Sequence, residues 1–168
     1  MEIWDIYDEQ NQLTGETISR NAVHSLQKGQ FHACVNALLI DEQGNILTQQ
    51  RALTKEVNPG SWDLFTGGSL LTKETPEQGI AREVAEELGV TRLEFHYFGY
   101  EMRPDIKSIM HYFSAKIPQT SIKHLNLQES EVAQIAWVSF EEANALAKSN
   151  PFDWNWLQKM TSTKPLKL

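Results

Sequence analysis

From His32 to Ile40 the apolar residues Ala33, Val35, Ala37 and Leu39 alternate with Cys34, Asn36 and Leu38, a period of two that predicts a strand buried along most of its length. The polar stretch Asp41-Glu42-Gln43-Gly44-Asn45 then turns the chain into a second run, Ile46 to Arg51, so the pair reads as a hairpin. Ile3 to Tyr7 and Leu13 to Ile18 flank the polar turn Asp8 to Gln12 and predict an N-terminal hairpin within residues 1–20. Further strands are expected at Leu93 to Tyr100, Ile109 to Ile117 and Ala133 to Val138.

Two helices carry start signals. Thr75 is an N-cap residue, Pro76 suits the first helical position, Gln78 stands where a capping-box partner reaches back, and Gly89 ends the run. Ser139-Phe140-Glu141-Glu142 is a second capping box, followed by the apolar Ala143, Leu146 and Ala147. A third helix is expected around Asp153 to Met160. Strands interrupted by too few helices for regular strand-helix-strand alternation predict an α+β layered fold.

The 168 residues, 40% of them hydrophobic, suffice for one substantial core, so residues 1–168 read as a single domain with a loose tail at 161–168. A net charge of -7 argues against a general nucleic-acid binder, which displaces phosphate counterions with a basic surface. Cys34, the single cysteine, has no intramolecular disulfide partner, and the opening residues lack a signal-peptide pattern. With no long apolar run, these features predict a cytoplasmic protein that meets its substrate in water.

The segment from Gly68 to Val90 changes the picture. On a helix, Glu83, Glu86 and Glu87 share one face at spacings i, i+3 and i+4, while Ile80, Ala81, Val84, Ala85 and Leu88 are expected on the other. Three carboxylates on one face repel one another, and a divalent cation would remove the conflict; oxygen-only ligands suit Mg²⁺, with Mn²⁺ a substitute. The ordinary alternative is a solvated amphipathic helix, and the helix alone favours it.

The wider spacing favours the metal site. Gly68, Glu74, Arg82, Glu83, Val84, Glu86, Glu87, Gly89 and Val90 match every defined position of G-x5-E-x7-R-E-U-x-E-E-x-G-U, U being aliphatic, so the segment resembles the Nudix box. A chance match in a chain of this length is rarer than about one in a million. Gln49-Gln50-Arg51, Pro59-Gly60-Ser61-Trp62-Asp63 and Glu131 to Val138 extend the resemblance over most of the chain. It implies an α/β/α sandwich with a mixed central β-sheet, hydrolysis of a phosphoanhydride bond in a small diphosphate such as a nucleoside-diphosphate derivative, and compatibility with a homodimer.

By the same resemblance, Glu83, Glu86 and Glu87 ligate the ion, joined by the carbonyl of Gly68, while Glu74 and Arg82 form a structural pair. One box glutamate serves as base, or a loop carboxylate does, with Glu129 and Glu131 the candidates. Arg51, followed by Lys55 and Arg103, is the candidate for phosphate contact. Each of these loop residues reads equally as a solvated charge. Trp62, Tyr97, Tyr100, Tyr112 and Trp154 are candidates to stack on a base, although scattered aromatics usually belong to the core, as do His32 and His111.

Trp4-Asp5-Ile6-Tyr7-Asp8-Glu9, Gly15, His32-Ala33 and Gln49-Gln50-Arg51 also resemble the isopentenyl-diphosphate isomerase branch of that superfamily. That branch uses a Cys shortly after a Trp and a metal-binding His nearby. Here Trp62 leads instead to Gly67-Gly68-Ser69, and Cys34 does not match the motif. A non-catalytic binding module would usually have lost box carboxylates, and none is missing.

Overall fold

A computed structural model of the chain describes residues 1–147 and 151–162. Strands β1 (Ile3–Tyr7) and β2 (Leu13–Ser19) pair antiparallel as the expected N-terminal hairpin. Its turn is closed by Asp8, whose Oδ1 accepts hydrogen bonds from the backbone N–H groups of Gln10 and Gln12, both at 2.9 Å. The larger sheet is mixed and built on β3 (His32–Ile40). One side of β3 pairs in parallel with β8 (Ser108–Lys116), which pairs antiparallel with β7 (His96–Arg103). The other pairs antiparallel with β6 (Thr66–Ser69). Strand β4 (Ile46–Arg51) takes β9 (Val132–Val138) and the two-residue β5 (Trp62–Asp63) as neighbours.

The hairpin expected between His32 and Arg51 closes only at its turn, where Ile40 faces Ile46. Beyond that pair the strands splay, because β3 finds its partners in β6 and β8 whereas β4 finds its own in β5 and β9.

Alternation along β3 divides the core in two. Ala33, Val35, Ala37 and Leu39 pack with Ile80, Val84 and Leu88 of α1 (Pro76–Leu88) and with Ile109 and Phe113 of β8. Leu38 and Ile40 face the other way, against Ala143 of α2 (Phe140–Ala147) and Trp156, Leu157 and Met160 of α3 (Pro151–Thr161). One helix on one face and two on the other make the α/β/α sandwich. Each fully buried aliphatic side chain of α1 contributes roughly 1.5–3 kcal/mol. The expected tail at 161–168 lies outside the described residues from 163 onward.

Both helix starts follow the sequence. Thr75 Oγ1 accepts from Gln78 N–H at 3.3 Å and Gln78 Oε1 from Thr75 N–H at 2.9 Å, while Gly89 closes α1 at φ 70°. Ser139 and Glu142 form the second box. Leu93 to Phe95, expected to open a strand, precede β7 instead.

His32 and His111 are packing residues, as expected. His32 stacks on Trp4 at 4.6 Å and its Nε2 lies 2.7 Å from Ser108 Oγ; His111 Nδ1 lies 2.9 Å from Tyr97 Oη. Burial pushes both imidazoles down to about 4 from an ordinary 6.5. The folded state therefore holds them neutral in a window where the unfolded chain protonates them, so their stabilisation is complete above pH 6.5 and lost as pH falls toward 4. Thermal melts across that window should show a loss of up to about 1.4 kcal/mol per pH unit for each ring. His111→Gln should remove its share of the slope; an unchanged slope would mean the ring is already protonated in the fold.

Candidate active site

Helix α1 carries Glu83, Glu86 and Glu87 to one cavity, but to different depths. The Glu86 side chain is 53% exposed, that of Glu83 13%, and Glu87 is only 6% exposed as a residue. The two-faced helix expected from the sequence is therefore too coarse: Glu87 is buried beside the core residues, and Ala81 is exposed. Glu87 Oε2 accepts a hydrogen bond from Gln49 Nε2 of β4 at 3.2 Å. Burial pushes the Glu87 carboxyl up to about 8; Glu83 and Glu131 add to the rise, and Gln49 and Arg51 oppose it. Glu83 is also raised, chiefly by burial, with Arg82 opposing.

The carboxylates were expected to repel without a compensating cation. Arg82 corrects this. Its Nη1 donates to Glu83 Oε1 at 2.8 Å and to Glu86 Oε2 at 3.1 Å, because a guanidinium one residue before the first and four before the second can span both. The rest of the fork holds Glu74 through Nε and Nη2 at 2.8 and 2.9 Å, and Nη2 also reaches the Ser69 carbonyl at 3.0 Å. Glu74 in turn accepts from Leu71 N–H at 2.9 Å. Burial alone would raise the Glu74 carboxyl, but Arg82 and the Leu71 N–H hold it below its ordinary value. The expected Glu74–Arg82 pair thus ties loop to helix.

Gly67 and Gly68 lie in strand β6. A Cβ on Gly67 would stand 1.9 Å from the Val35 carbonyl oxygen, and one on Gly68 2.4 Å from Glu83 Oε1. Glycine is required because strand β3 and the carboxylate approach this backbone so closely.

The resulting cavity, about 220 Å³, brings Gly67, Gly68, Ser69, Arg82, Glu83, Glu86 and Glu87 together with Arg51, Lys55, Gln128 and Glu131, and with Glu2 and Arg20 of the N-terminal region. Each rim cation has an acidic partner: Arg51 with Asp63 at 3.5 Å, Lys55 with Glu131 at 2.5 Å, Arg20 with Glu2 at 2.8 Å. A larger cavity of about 430 Å³ is lined by Glu9, Lys28, Phe31, Met102 and Lys107 among others and contains no box residue. The smaller cavity is the one that gathers the charged groups.

Of the residues singled out from sequence, Glu83, Glu86, Glu87, Gly68, Arg51, Lys55 and Glu131 meet here. Glu129 is exposed outside the cavity, and Arg103 pairs with Asp105 at 2.7 Å elsewhere. Among the described residues no aromatic side chain lines it. Tyr112 stacks on Trp156 at 3.9 Å in the core, Tyr97 and Tyr100 flank His111, and Trp62 pairs with Gln50; the side chain of Trp154 lies outside the described residues. Sequence reasoning missed Glu2, Arg20 and Gln128, and missed Gln49 as the partner of Glu87.

Among the described residues, no three Asp, Glu, His or Cys side chains stand close enough together to enclose an ion, the Arg82 guanidinium being inserted between Glu83 and Glu86. The donor set nevertheless fits a hard cation. It is all oxygen, and Glu87 is a buried carboxyl group that accepts, among the described residues, from the neutral amide of Gln49, an environment that a nearby cation would relieve.

A mixed sheet between helical layers, with the Gly68–Val90 segment joining β6 to α1, defines a Nudix-type sandwich. A family model described as NUDIX domain matches residues 30–160, and the chain belongs to that family, the Nudix hydrolases. It is 38% identical over 158 residues to an uncharacterized Nudix hydrolase of Listeria monocytogenes, covering 90% of this chain and 88% of that one. An isopentenyl-diphosphate Delta-isomerase of Streptomyces avermitilis is 40% identical over 83 residues, covering 49% of this chain and 42% of its own. A crystal structure from Deinococcus radiodurans, 20% identical, superposes with a TM-score of 0.78 over 94% of this chain and 98% of that one, a likeness of fold. Among the described residues no helix is long and apolar enough to cross a membrane.

Proposed function

We propose that the protein hydrolyses a phosphoanhydride bond in a nucleoside-diphosphate-linked or similar small diphosphate. The observation that carries the reading is that one cavity is lined both by the three box carboxylates and by Arg51 and Lys55. Glu83, Glu86, Glu87 and the Gly68 carbonyl would hold Mg²⁺, or Mn²⁺ in its place. When bound, such an ion neutralises charge on the diphosphate and acidifies water.

The chain's own groups supply the rest. Arg51 and Lys55 bind phosphate oxygens by exchanging their partners Asp63 and Glu131 for the substrate, which suits guanidinium and ammonium donors. Lys55 thereby leaves Glu131 with a free carboxylate beside the cavity, available to take the proton of the attacking water. The water oxygen bonds to phosphorus, the bridging P–O bond breaks, and its electron pair leaves with the second phosphate. Arg82 keeps Glu83 and Glu86 in place.

The isomerase likeness is the second reading, favoured by the partial match to the Streptomyces enzyme. Against it, burial pushes the Cys34 thiol up to about 11, and its contacts are His32 Nδ1 at 3.6 Å and Ser69 Oγ at 3.7 Å. A screen of nucleoside diphosphate sugars, dinucleoside polyphosphates, nucleoside triphosphates and prenyl diphosphates with Mg²⁺ separates the two. Phosphate-containing products, lost on chelation and retained in Cys34→Ala, are expected. Isomerised prenyl diphosphate without hydrolysis, abolished in a folded Cys34→Ala, would overturn the hydrolase reading, and binding without turnover would point to a ligand-binding module.

A further inference from the structure

The N-terminal hairpin lies outside the matched residues 30–160, yet it grips the loop that opens the Nudix box. Asp5 on β1 is the hand. Its Oδ1 accepts from Thr72 Oγ1 and its Oδ2 from the backbone N–H of Lys73, both at 2.7 Å. Beside it the Ile3 carbonyl accepts from Thr72 N–H at 2.8 Å. Lys73 has φ 65°, a left-handed conformation that a side chain disfavours and that needs holding from outside. The hairpin's own attachment is firm: Tyr7 and Phe31 exchange backbone hydrogen bonds at 2.8 and 2.9 Å, and Trp4 is stacked on His32.

From this grip a short path leads to the carboxylates. Thr72 and Lys73 sit between Leu71, whose N–H is bonded to Glu74, and Glu74 itself, which is bonded to Arg82. Arg82 reaches back to the Ser69 carbonyl and forward to Glu83 and Glu86. The position of Gly68, directly before Ser69, therefore depends on a loop pinned at one end by strand β3 and at the other by Asp5. Two ionised hydrogen bonds from one rigid strand are stronger restraints than neutral ones.

We propose that Asp5 is a positioning residue for the cation site, acting through the Ser69–Thr75 loop. The inference rests on the proposed ligand role of Glu83, Glu86 and Glu87. It makes residues 1–20 a working part of the site instead of an appendage.

The test uses the full chain and Mn²⁺ alone, with binding read by electron paramagnetic resonance and fold by circular dichroism and melting. Asp5→Ala should weaken Mn²⁺ binding about 10- to 100-fold, the range for groups that orient metal ligands. Thr72→Val, which removes the hydroxyl donor from the box side, should shift binding in the same direction with the hairpin intact. Thr14→Val is the control, since Thr14 Oγ1 donates to the Ile6 carbonyl at 2.9 Å within the same hairpin. It should lower the melting temperature and leave Mn²⁺ affinity unchanged. Wild-type binding that is matched by both Asp5→Ala and Thr72→Val, or weakened equally by Thr14→Val, would overturn the positioning role alone. Absence of wild-type binding would overturn the ligand assignment and this inference with it.

Discussion

Glu87→Gln is expected to lower turnover about 100- to 1000-fold, the scale of losing one group that stabilises charge in a closed site, while the metal-free protein stays folded. The two halves have one cause. Glu87 is 6% exposed and its direct donor is the Gln49 amide, so its charge is costly in the absence of a cation. A glutamine of the same shape removes that cost and still accepts from Gln49 through its carbonyl oxygen. It cannot offer a cation the same anionic oxygen. Glu86→Gln should cost less, roughly tenfold, because its side chain is 53% exposed and water can replace part of what it supplies. Steady-state kinetics on a substrate found by the screen, beside melts with and without Mg²⁺, measure both. Full activity in a folded Glu87→Gln would remove Glu87 from the site.

The spacing of the box was legible because it is local: one helix period brings Ile80, Val84 and Leu88 to the core, and Thr75 and Gly89 cap the helix as their types require. What the period could not reveal was depth. Glu83, Glu86 and Glu87 look equivalent on a helical wheel, and tertiary neighbours separate them: Gln49 of β4 bonds Glu87, the Gly68 backbone of β6 lies against Glu83, and Glu86 stays exposed. Arg82 was recognised as the partner of Glu74, but its reach to Glu83 and Glu86 depends on a side-chain conformation that no pattern of residue types encodes. The splay of β3 from β4 was hidden for a similar reason. Hydrophobic alternation identifies a strand without naming its neighbours, and a short polar turn suggests a hairpin even where the strands part after one pair. Arg20, Glu2 and Asp5 are distant from the box in sequence, and only tertiary packing brings the first two to the cavity and the third to the loop. Arg51, at the end of one expected strand, and Glu131, nominated with Glu129 ahead of another, could be named from the sequence, and Arg51 and Glu131 line the cavity whereas Glu129 does not.

Glu74→Gln should show the opposite balance from Glu87→Gln: a clear loss of stability and a smaller, indirect loss of turnover. The Glu74 side chain is 13% exposed and its carboxylate accepts three hydrogen bonds, two from Arg82 and one from Leu71 N–H. Glutamine keeps one acceptor oxygen and turns an amide toward donors, so at least one of those bonds is lost along with the charge pairing. With the partly exposed Arg82 screened by water, the expected cost lies between a surface and a buried ion pair, about 2 kcal/mol. For a chain of this size that is a fall of roughly 4–8 °C in melting temperature. The sign of its pH dependence follows from the lowered carboxyl: the deficit relative to wild type is fully present above pH 4.5, the ordinary value, and shrinks as pH falls through the lower folded value. Arg82, released on one side, remains bonded to Glu83 and Glu86, so the carboxylates shift without being removed and turnover falls through their misplacement. Melts across pH beside kinetics at saturating Mg²⁺ separate these effects. A Glu74→Gln protein as stable as wild type yet inactive would make Glu74 a direct participant in the chemistry and leave the anchoring of the loop to Asp5 and strand β3.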